Sequence, residues 1–213
     1  PLFTKPISAY KMYNVLQAKP EDVWAQIEKD LNEAKGALPL TLSPTELGRF
    51  SKGAAQAMLG KVYLYEGKKS QAAAELAEVN GTPGGTSQYG YKLLTNFADL
   101  WVVSNKFNSE SILETSHTNQ SLSGWENNGS GSDEGNNYCI LLGPRSYLHI
   151  DAPAPYLPSG WSFNVFTPEF YEFFKTDPRF DATILDMNAL EAAGKASYSP
   201  GYMNTGYFFK KYL

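Results

Sequence analysis

The chain contains very little cysteine or histidine. Among its 213 residues there is one cysteine, Cys139, and there are two histidines, His117 and His149. A single cysteine excludes an intrachain disulfide and a thiolate metal cluster, and two histidines do not make a conventional zinc site. We therefore predict no bound metal and no cofactor, and we expect each histidine to make a structural hydrogen bond.

The chain also lacks an excess of basic charge and a long apolar run. Lys and Arg total 18 against 22 Asp and Glu, which gives a net charge of −4. The basic residues are scattered, so no patch would attract nucleic-acid phosphates, and no apolar run approaches the length needed to span a bilayer. We expect neither a nucleic-acid partner nor a membrane-spanning helix.

Aromatic residues are abundant instead. The chain has 14 Tyr, 12 Phe and 4 Trp, together 14% of its residues. In the second half many of them lie among Gly, Pro, Asn and Ser, where a buried core has no obvious need for them. This composition favours exposed aromatic side chains in loops.

The first half has the periodicity of helices. A helix begins with Pro20 in its first turn and ends before Pro39, and a second begins after the capping residue Ser51. The packing side of this second helix is predicted to carry Ala54, Ala55, Met58, Leu59, Val62 and Tyr63. A third helix runs from about Ser70 to Val79.

The stretch LGKVYLYEGKKSQAAAEL, residues 59–76, has the spacing of a tetratricopeptide repeat. The matching residues are Leu59, Gly60, Tyr63, Gly67 and Ala72. Small residues let the two helices approach closely, and Tyr63 and Leu76 fill the remaining space. This pattern predicts a structural scaffold and says almost nothing about function.

The predicted fold class is mainly α, with tetratricopeptide-like helical hairpins packed with a loop-rich layer that contains a few short strands. We treat residues 1–213 as a single segment, with the hairpins over 20–85 and the layer over 86–213. Within the layer we predict one further helix near 167–176, capped by Thr167, and a short helix or turn around NFADLW. Strands are predicted at 110–117 and in the C-terminal GYFFKKYL.

Five stretches follow one another in an order that resembles the SusD/RagB family of bacterial outer-membrane nutrient-binding lipoproteins. They are KPEDVWAQIEKDLNEAKGALP, GRFSKGAAQAMLGKVYLYEGKKSQAAAEL, NSESILE, TPEFYEFFKTDPRFDATI and GYFFKKYL. The second stretch contains a pattern that matches the family at Gly48, Arg49, Lys52, Gly53, Ala54 and Ala55. The Asp-Pro-Arg turn of the family corresponds to Asp177, Pro178 and Arg179.

The resemblance implies a non-catalytic protein of the cell outer membrane, exposed at the surface, that binds an oligosaccharide or polysaccharide. It also implies delivery of that glycan to a TonB-dependent outer-membrane transporter for carbohydrate uptake. Family members attach to the membrane only through a lipid anchor, which we expect to lie outside this chain. We expect the chain to be a fragment that lacks both termini of such a lipoprotein.

Glycan-binding candidates are aromatic side chains flanked by amides or arginine, because sugars present flat C–H faces and a rim of hydroxyls. The candidates are Trp125, Asn127, Asn128, Tyr138, Arg145, Tyr147 and Trp161. Tyr156 lies close to Trp161 in sequence. The alternative for Trp161, Phe163 and Phe166 is a place in the core, and for Trp125 it is the role of a loop anchor.

Two other functions remain open at this stage. The helical repeat over 52–79 could be a protein–protein interaction module without sugar binding, and a glycoside hydrolase ranks last because no acid/base pair can be placed. Asp177 and Asp181 are interpreted as capping residues, and Ser130 as part of a low-complexity linker. Oxygen donors at Asp133, Glu134 and Asn136 could hold calcium, but without the spacing of an EF-hand.

Overall fold

The computed structural model describes residues 1–8, 15–116 and 137–211. Within these ranges the chain is dominated by helix, as predicted. Its α-helices are α1 (Pro20–Ala37), α2 (Lys52–Tyr65), α3 (Lys69–Asn80), α4 (Asn137–Leu142), α5 (Pro168–Phe174), α6 (Phe180–Thr183) and α7 (Met187–Ala192). The strands are β1 (Arg145–His149), β2 (Ile184–Asp186), β3 (Ala196–Ser199) and β4 (Tyr207–Phe209). In the described ranges no helix is both long enough and apolar enough to cross a bilayer.

The chain divides into two compact units. The first contains Pro1–Leu94 and Lys106–Thr115, and the second contains Thr95–Asn105 and Ser116–Leu213. In the first unit α2 packs against both α1 and α3. The predicted NFADLW turn is a 3-10 helix at Phe97–Trp101, in the second unit.

The hairpin of α2 and α3 has the close approach that the repeat pattern predicts. Leu59, Tyr63 and Ala72 form a buried cluster. A Cβ added at Gly60 would lie 2.6 Å from Cγ of Leu76, so only a glycine leaves room for that side chain. Gly67 ends the first helix of the hairpin with a φ of 77°, which a glycine adopts without strain.

The N-terminus of α2 is capped as predicted, because Ser51 Oγ accepts the Ala54 N–H at 3.2 Å. Met58 departs from the prediction. It is 44% exposed and does not belong to the packing side of the helix. Leu59 and Tyr63, also predicted on the packing side, are buried in the core of the hairpin.

The predicted strand at 110–117 is wrong over its described residues, 110–116, which form turns and irregular backbone. Two carboxylates in this stretch fold back onto other backbone donors. Glu110 accepts the Leu94 N–H at 2.9 Å, and Glu114 accepts the Phe107 N–H at 3.0 Å. Ile112 and Leu113 are also adjacent, which breaks the alternation that a half-buried strand needs.

The second unit contains two small antiparallel sheets, in which β1 pairs with β3 and β2 pairs with β4. The predicted C-terminal strand is confirmed as β4. The core of the unit consists of Ala154, Leu185, Met187, Ala196 and Phe208. The pairing of β1 with β3 is irregular between Arg145 and Leu148, which is typical of a β-bulge.

The predicted helix near 167–176 is α5. Thr167 Oγ1 accepts the Phe170 N–H at 3.2 Å, and Pro168 occupies the first turn, where its missing N–H costs nothing. The sequence analysis did not find α4, α6 or α7. These helices have 6, 4 and 6 residues, too few to show a helical period.

Candidate functional site

The candidate site of the second unit is built on the short helix α4 and on residues 160–163, whose backbone runs beside the end of that helix. Trp161 N–H donates to the Ile140 carbonyl at 2.8 Å. Phe163 N–H donates to the Leu141 carbonyl at 2.9 Å. These hydrogen bonds fix the backbone on which the aromatic side chains stand.

Gly160 allows this close approach. Gly160 N–H donates to the Pro144 carbonyl at 2.9 Å. A Cβ added at Gly160 would lie 2.4 Å from the carbonyl oxygen of Gly143. That distance is far below a van der Waals contact, and the obstacle is backbone, so no side chain could move to relieve it.

Arg145 and Trp161, two of the predicted residues, are brought together at the start of β1. The backbone N–H of Arg145 donates to Ser162 Oγ at 2.9 Å. The Nη2 of Arg145 donates to the Trp161 carbonyl at 3.3 Å. Ser162 is buried and has a φ of 60°, a left-handed conformation that the surrounding hydrogen bonds hold in place.

Trp161 and Phe163 do not lie in the core, contrary to the alternative considered for them. Their side chains are 42% and 46% exposed. The two rings meet edge to face, with centroids 5.9 Å apart and planes at 88°. We call this exposed pair, with Arg145 beside it, the aromatic platform. Phe166 is half-buried and packs on Phe209, with ring centroids 4.1 Å apart.

The other two described candidates differ in exposure. Tyr138, on α4, is 61% exposed. Tyr147 is half-buried against the Phe208 cluster, and its hydroxyl donates to the Pro155 carbonyl at 2.5 Å. Burial raises the pKa of the Tyr147 hydroxyl. The Tyr147 side chain therefore supports the loop that leads to the aromatic platform.

A second exposed aromatic lies on that loop. Tyr156 is 85% exposed, and its ring stacks on the His149 imidazole with centroids 3.8 Å apart and planes at 19°. The imidazole covers one face of the Tyr156 ring. The high exposure of Tyr156 leaves its other face open to solvent.

Some sequence candidates lie outside the described residues. These are Trp125, Asn127 and Asn128, together with the possible calcium donors Asp133, Glu134 and Asn136. Over the parts of the chain that the structure describes, no group of three or more His, Cys, Asp or Glu side chains could hold a metal ion.

The sequence analysis did not single out Tyr202, which is 89% exposed. It lies in SPGYMNTGY, an aromatic among Pro, Gly and Asn. The same composition marked the residues of the aromatic platform, so it could have identified Tyr202 as well.

The first unit contains a cleft of about 210 Å³. Gly48 and Arg49, from the family-like pattern, lie in its wall with Phe107. The Phe107 ring packs against the backbone of Gly48, where an added Cβ would meet the ring at 3.4 Å. The φ of 91° at Gly48 also favours glycine, so this residue shapes the cleft.

Comparison with solved structures gives matches over the whole chain. A laminarin-binding SusD-like protein superimposes with a TM-score of 0.90 and 62% sequence identity, covering 100% of this chain and 46% of its own. Surface glycan-binding protein A from Bacteroides thetaiotaomicron, in complex with laminarihexaose, matches with a TM-score of 0.72 at 22% identity. That match covers 91% of this chain and 42% of the other.

Surface glycan-binding protein A from Bacteroides uniformis matches with a TM-score of 0.66 at 22% identity, over 90% of this chain and 38% of its own. The two surface glycan-binding proteins, at this low identity, are informative about the fold. No family model matches the chain, and neither does any curated protein.

The matched relatives are longer than this chain, which spans less than half of each of them. The relative with 62% identity nevertheless matches every part of the chain in sequence and in fold. This match agrees with the resemblance to the SusD/RagB family that the five stretches of sequence indicated. The chain therefore belongs to the SusD-like protein family.

Proposed function

We propose that this chain carries a non-catalytic glycan-binding surface and that the aromatic platform is its contact with the sugar. The observation that carries the proposal is the exposure of Trp161 and Phe163 on a backbone fixed by hydrogen bonds. A group of neighbouring exposed aromatic side chains marks a binding surface more strongly than a single exposed one does, and a rigid backbone limits the entropy lost on binding.

The chemistry of the platform suits a pyranose ring. The indole face of Trp161 offers an apolar surface for the C–H face of the sugar. Arg145 offers guanidinium donors at its edge for ring hydroxyls, and Tyr138 adds a phenolic hydroxyl on the neighbouring helix. Asn127, Asn128 and Trp125 are proposed as further contacts on the basis of composition alone.

The proposed ligand is a glucan of the laminarin type. The relative with 62% identity is named as laminarin-binding, and a more distant protein of the same fold was solved with laminarihexaose. Laminarihexaose is therefore the first probe for this chain. Other glycans present the same C–H faces and hydroxyls, so a glycan array is the complementary measurement.

We further propose that the whole protein is located at the surface of the outer membrane, where a lipid anchor attaches it. In this proposal it delivers its oligosaccharide to a TonB-dependent transporter. The support is the SusD-like family and the relatives named as surface glycan-binding proteins. Co-purification of the full-length protein with such a transporter is the test.

Binding without catalysis is part of the proposal. Asp177, one of the two carboxylates considered at the Asp-Pro-Arg turn, receives a side-chain hydrogen bond from Arg179 that lowers its pKa to about 2. A carboxyl with so low a pKa cannot serve as a general acid near neutral pH. Release of reducing sugar from laminarin by the purified chain would contradict this part of the proposal.

The direct test is calorimetric titration of laminarihexaose into the chain and into Trp161→Ala. We expect saturable binding by the wild type and a loss of about tenfold or more in the variant, because the variant removes the apolar face on which the sugar would stack, and burial of apolar surface contributes about 25 cal/mol per Å². Tyr65→Ala is the matched control, since Tyr65 is 73% exposed but lies in the first unit. Trp125→Ala tests the remaining tryptophan candidate in the same way.

A protein-interaction role for the helical hairpin is a second candidate. Met58 and Tyr65 are exposed seven residues apart on α2, which puts them on one side of the helix, and Leu64 is 55% exposed. A double variant Met58→Glu and Tyr65→Glu would break such a contact without touching the aromatic platform. Retention of a partner in a pull-down by this variant would remove the support for this role.

A further inference from the structure

The loop between β3 and β4, residues 200–206, exposes a large aromatic side chain on a fixed backbone. Tyr202 is 89% exposed. On its N-terminal side, Gly201 packs directly on Ser162: a Cβ added at Gly201 would lie 2.8 Å from the Cβ of Ser162. The backbone beside Tyr202 is therefore held against Ser162 by close packing.

The loop is also held on the C-terminal side of Tyr202. The Asn204 amide donates to the Tyr198 hydroxyl at 2.8 Å. The Thr205 hydroxyl donates to the Phe166 carbonyl at 2.6 Å, and the Asn188 amide donates to the Thr205 carbonyl at 2.9 Å. With contacts on both sides of Tyr202, the loop is ordered before any ligand binds.

The place where the loop is held connects Tyr202 with the aromatic platform. Ser162 lies between Trp161 and Phe163 in sequence, and its Oγ accepts the backbone N–H of Arg145. Gly201 thus contacts the residue that lies between the two aromatic residues of the platform. An isolated exposed tyrosine is common on protein surfaces and needs no explanation, but Tyr202 follows a glycine that packs on Ser162, the residue between two other exposed aromatics.

We propose that Tyr202 is an additional sugar-stacking residue, which extends the aromatic platform so that it contacts several consecutive residues of an oligosaccharide. The inference rests on the glycan-binding function proposed above. A tyrosine offers a flat apolar face and a hydroxyl, and only two side-chain torsions need to be fixed on binding. The contacts of Gly201, Asn204 and Thr205 fix the backbone from which the Tyr202 side chain extends.

The variants Tyr202→Ala, Tyr202→Phe and Met203→Ala test this inference by calorimetric titration with laminarihexaose. Met203 is the matched control, because it is 75% exposed on the same loop. We expect Tyr202→Ala to weaken binding roughly two- to tenfold, Tyr202→Phe to retain most of the affinity, and Met203→Ala to bind as the wild type does. Since both side chains are exposed, the thermal unfolding midpoint of the three variants should stay unchanged.

The outcomes separate this inference from the function on which it rests. The first outcome is that the wild type binds, Trp161→Ala loses affinity and Tyr202→Ala keeps it. In that case Tyr202 is not a sugar contact, and this inference fails while the proposed function stands. An equal loss in Tyr202→Ala and Met203→Ala also overturns it, since the effect then belongs to the loop. Absence of binding by the folded wild-type chain overturns the proposed function together with this inference.

Discussion

Arg145 and Trp161 are joined by a hydrogen bond from the arginine Nη2 to the tryptophan carbonyl, 3.3 Å long. The backbone N–H of the same arginine donates to Ser162 Oγ. One residue at the start of β1 therefore holds the backbone of the aromatic platform at two points. It also places a cation at the backbone carbonyl of Trp161, where a sugar hydroxyl could accept a hydrogen bond from it.

Arg145→Ala should weaken laminarihexaose binding about three- to tenfold, because it removes a hydrogen-bond donor and one of the two bonds to the platform. Arg145→Lys should restore only part of the affinity, since an ammonium group does not reproduce the planar fork of a guanidinium. Titration calorimetry measures both. Arg49→Ala, an exposed arginine of the first unit, is the control and should bind normally.

Gly160→Ala should destabilise the second unit by about 1–3 kcal/mol, as overpacking of a close contact usually does. The added methyl would lie 2.4 Å from the Gly143 carbonyl oxygen. The variant should also bind laminarihexaose less well, because the displaced backbone carries Trp161. Urea unfolding measures the stability. A variant as stable as the wild type would mean that residues 143 and 160 do not approach this closely.

Gly60→Ala tests the helical hairpin in the same way. Its methyl would meet the Leu76 side chain, so we expect a loss of about 1–3 kcal/mol in the free energy of unfolding. Gly36→Ala is a sharp control, because a Cβ at Gly36 in α1 meets nothing within 4 Å. That change should stabilise by roughly 0.5–1 kcal/mol, since glycine costs a helix about this much relative to alanine. If Gly60→Ala proved more stable to unfolding than Gly36→Ala, the packing of α2 on α3 would be contradicted.

Asp177 should make stability depend on pH in the acid range. The side chain of Arg179 donates two hydrogen bonds to the Asp177 carboxylate, at 2.8 and 2.7 Å, and its backbone N–H donates a third at 2.8 Å. These bonds lower the pKa of Asp177 to about 2, from an ordinary value of 3.8. A lowered pKa means that the stabilisation is complete above the ordinary value and is lost as the pH falls through about 2.

Asp177→Asn should therefore unfold at a lower temperature than the wild type at about pH 5, and the difference should shrink between about pH 4 and pH 2. Circular dichroism melts across this range measure it. Asp181→Asn, a neighbouring exposed carboxylate, serves as the control. A difference between wild type and Asp177→Asn that stays constant down to about pH 2 would disprove the role of the Arg179 hydrogen bonds.

The parts of the fold that were predictable have strong local signals. The periodicity of α1, the cap at Ser51 and the repeat spacing around Gly60 all describe contacts within some twenty residues, so they can be read from the chain directly. The strand prediction at 110–117 failed because its two glutamates accept hydrogen bonds from the Leu94 and Phe107 backbone, and a pattern of apolar and polar residues does not record such bonds. The short helices α4 and α7 were not predicted either, because six residues show no helical period.

The candidate site was only partly predictable. Composition selected Arg145 and Trp161, but their hydrogen bond arises from the packing of residues 160–163 beside α4, which depends on Gly160. Sequence could not decide whether Trp161 was core or surface, because an aromatic before a helix fits either place. The exposure of Tyr202 depends likewise on the tertiary contact between Gly201 and Ser162.

The proposed function requires that an oligosaccharide binds on Trp161. The most direct measurement is a titration of the ¹⁵N-labelled chain with laminarihexaose, followed through the indole N–H cross-peaks of its 4 tryptophans. Trp→Phe variants assign each peak. We predict a saturable shift of the Trp161 indole peak while that of Trp24, on α1, stays in place. Saturable binding that leaves the Trp161 peak unmoved, or no binding by the folded chain, would contradict the account.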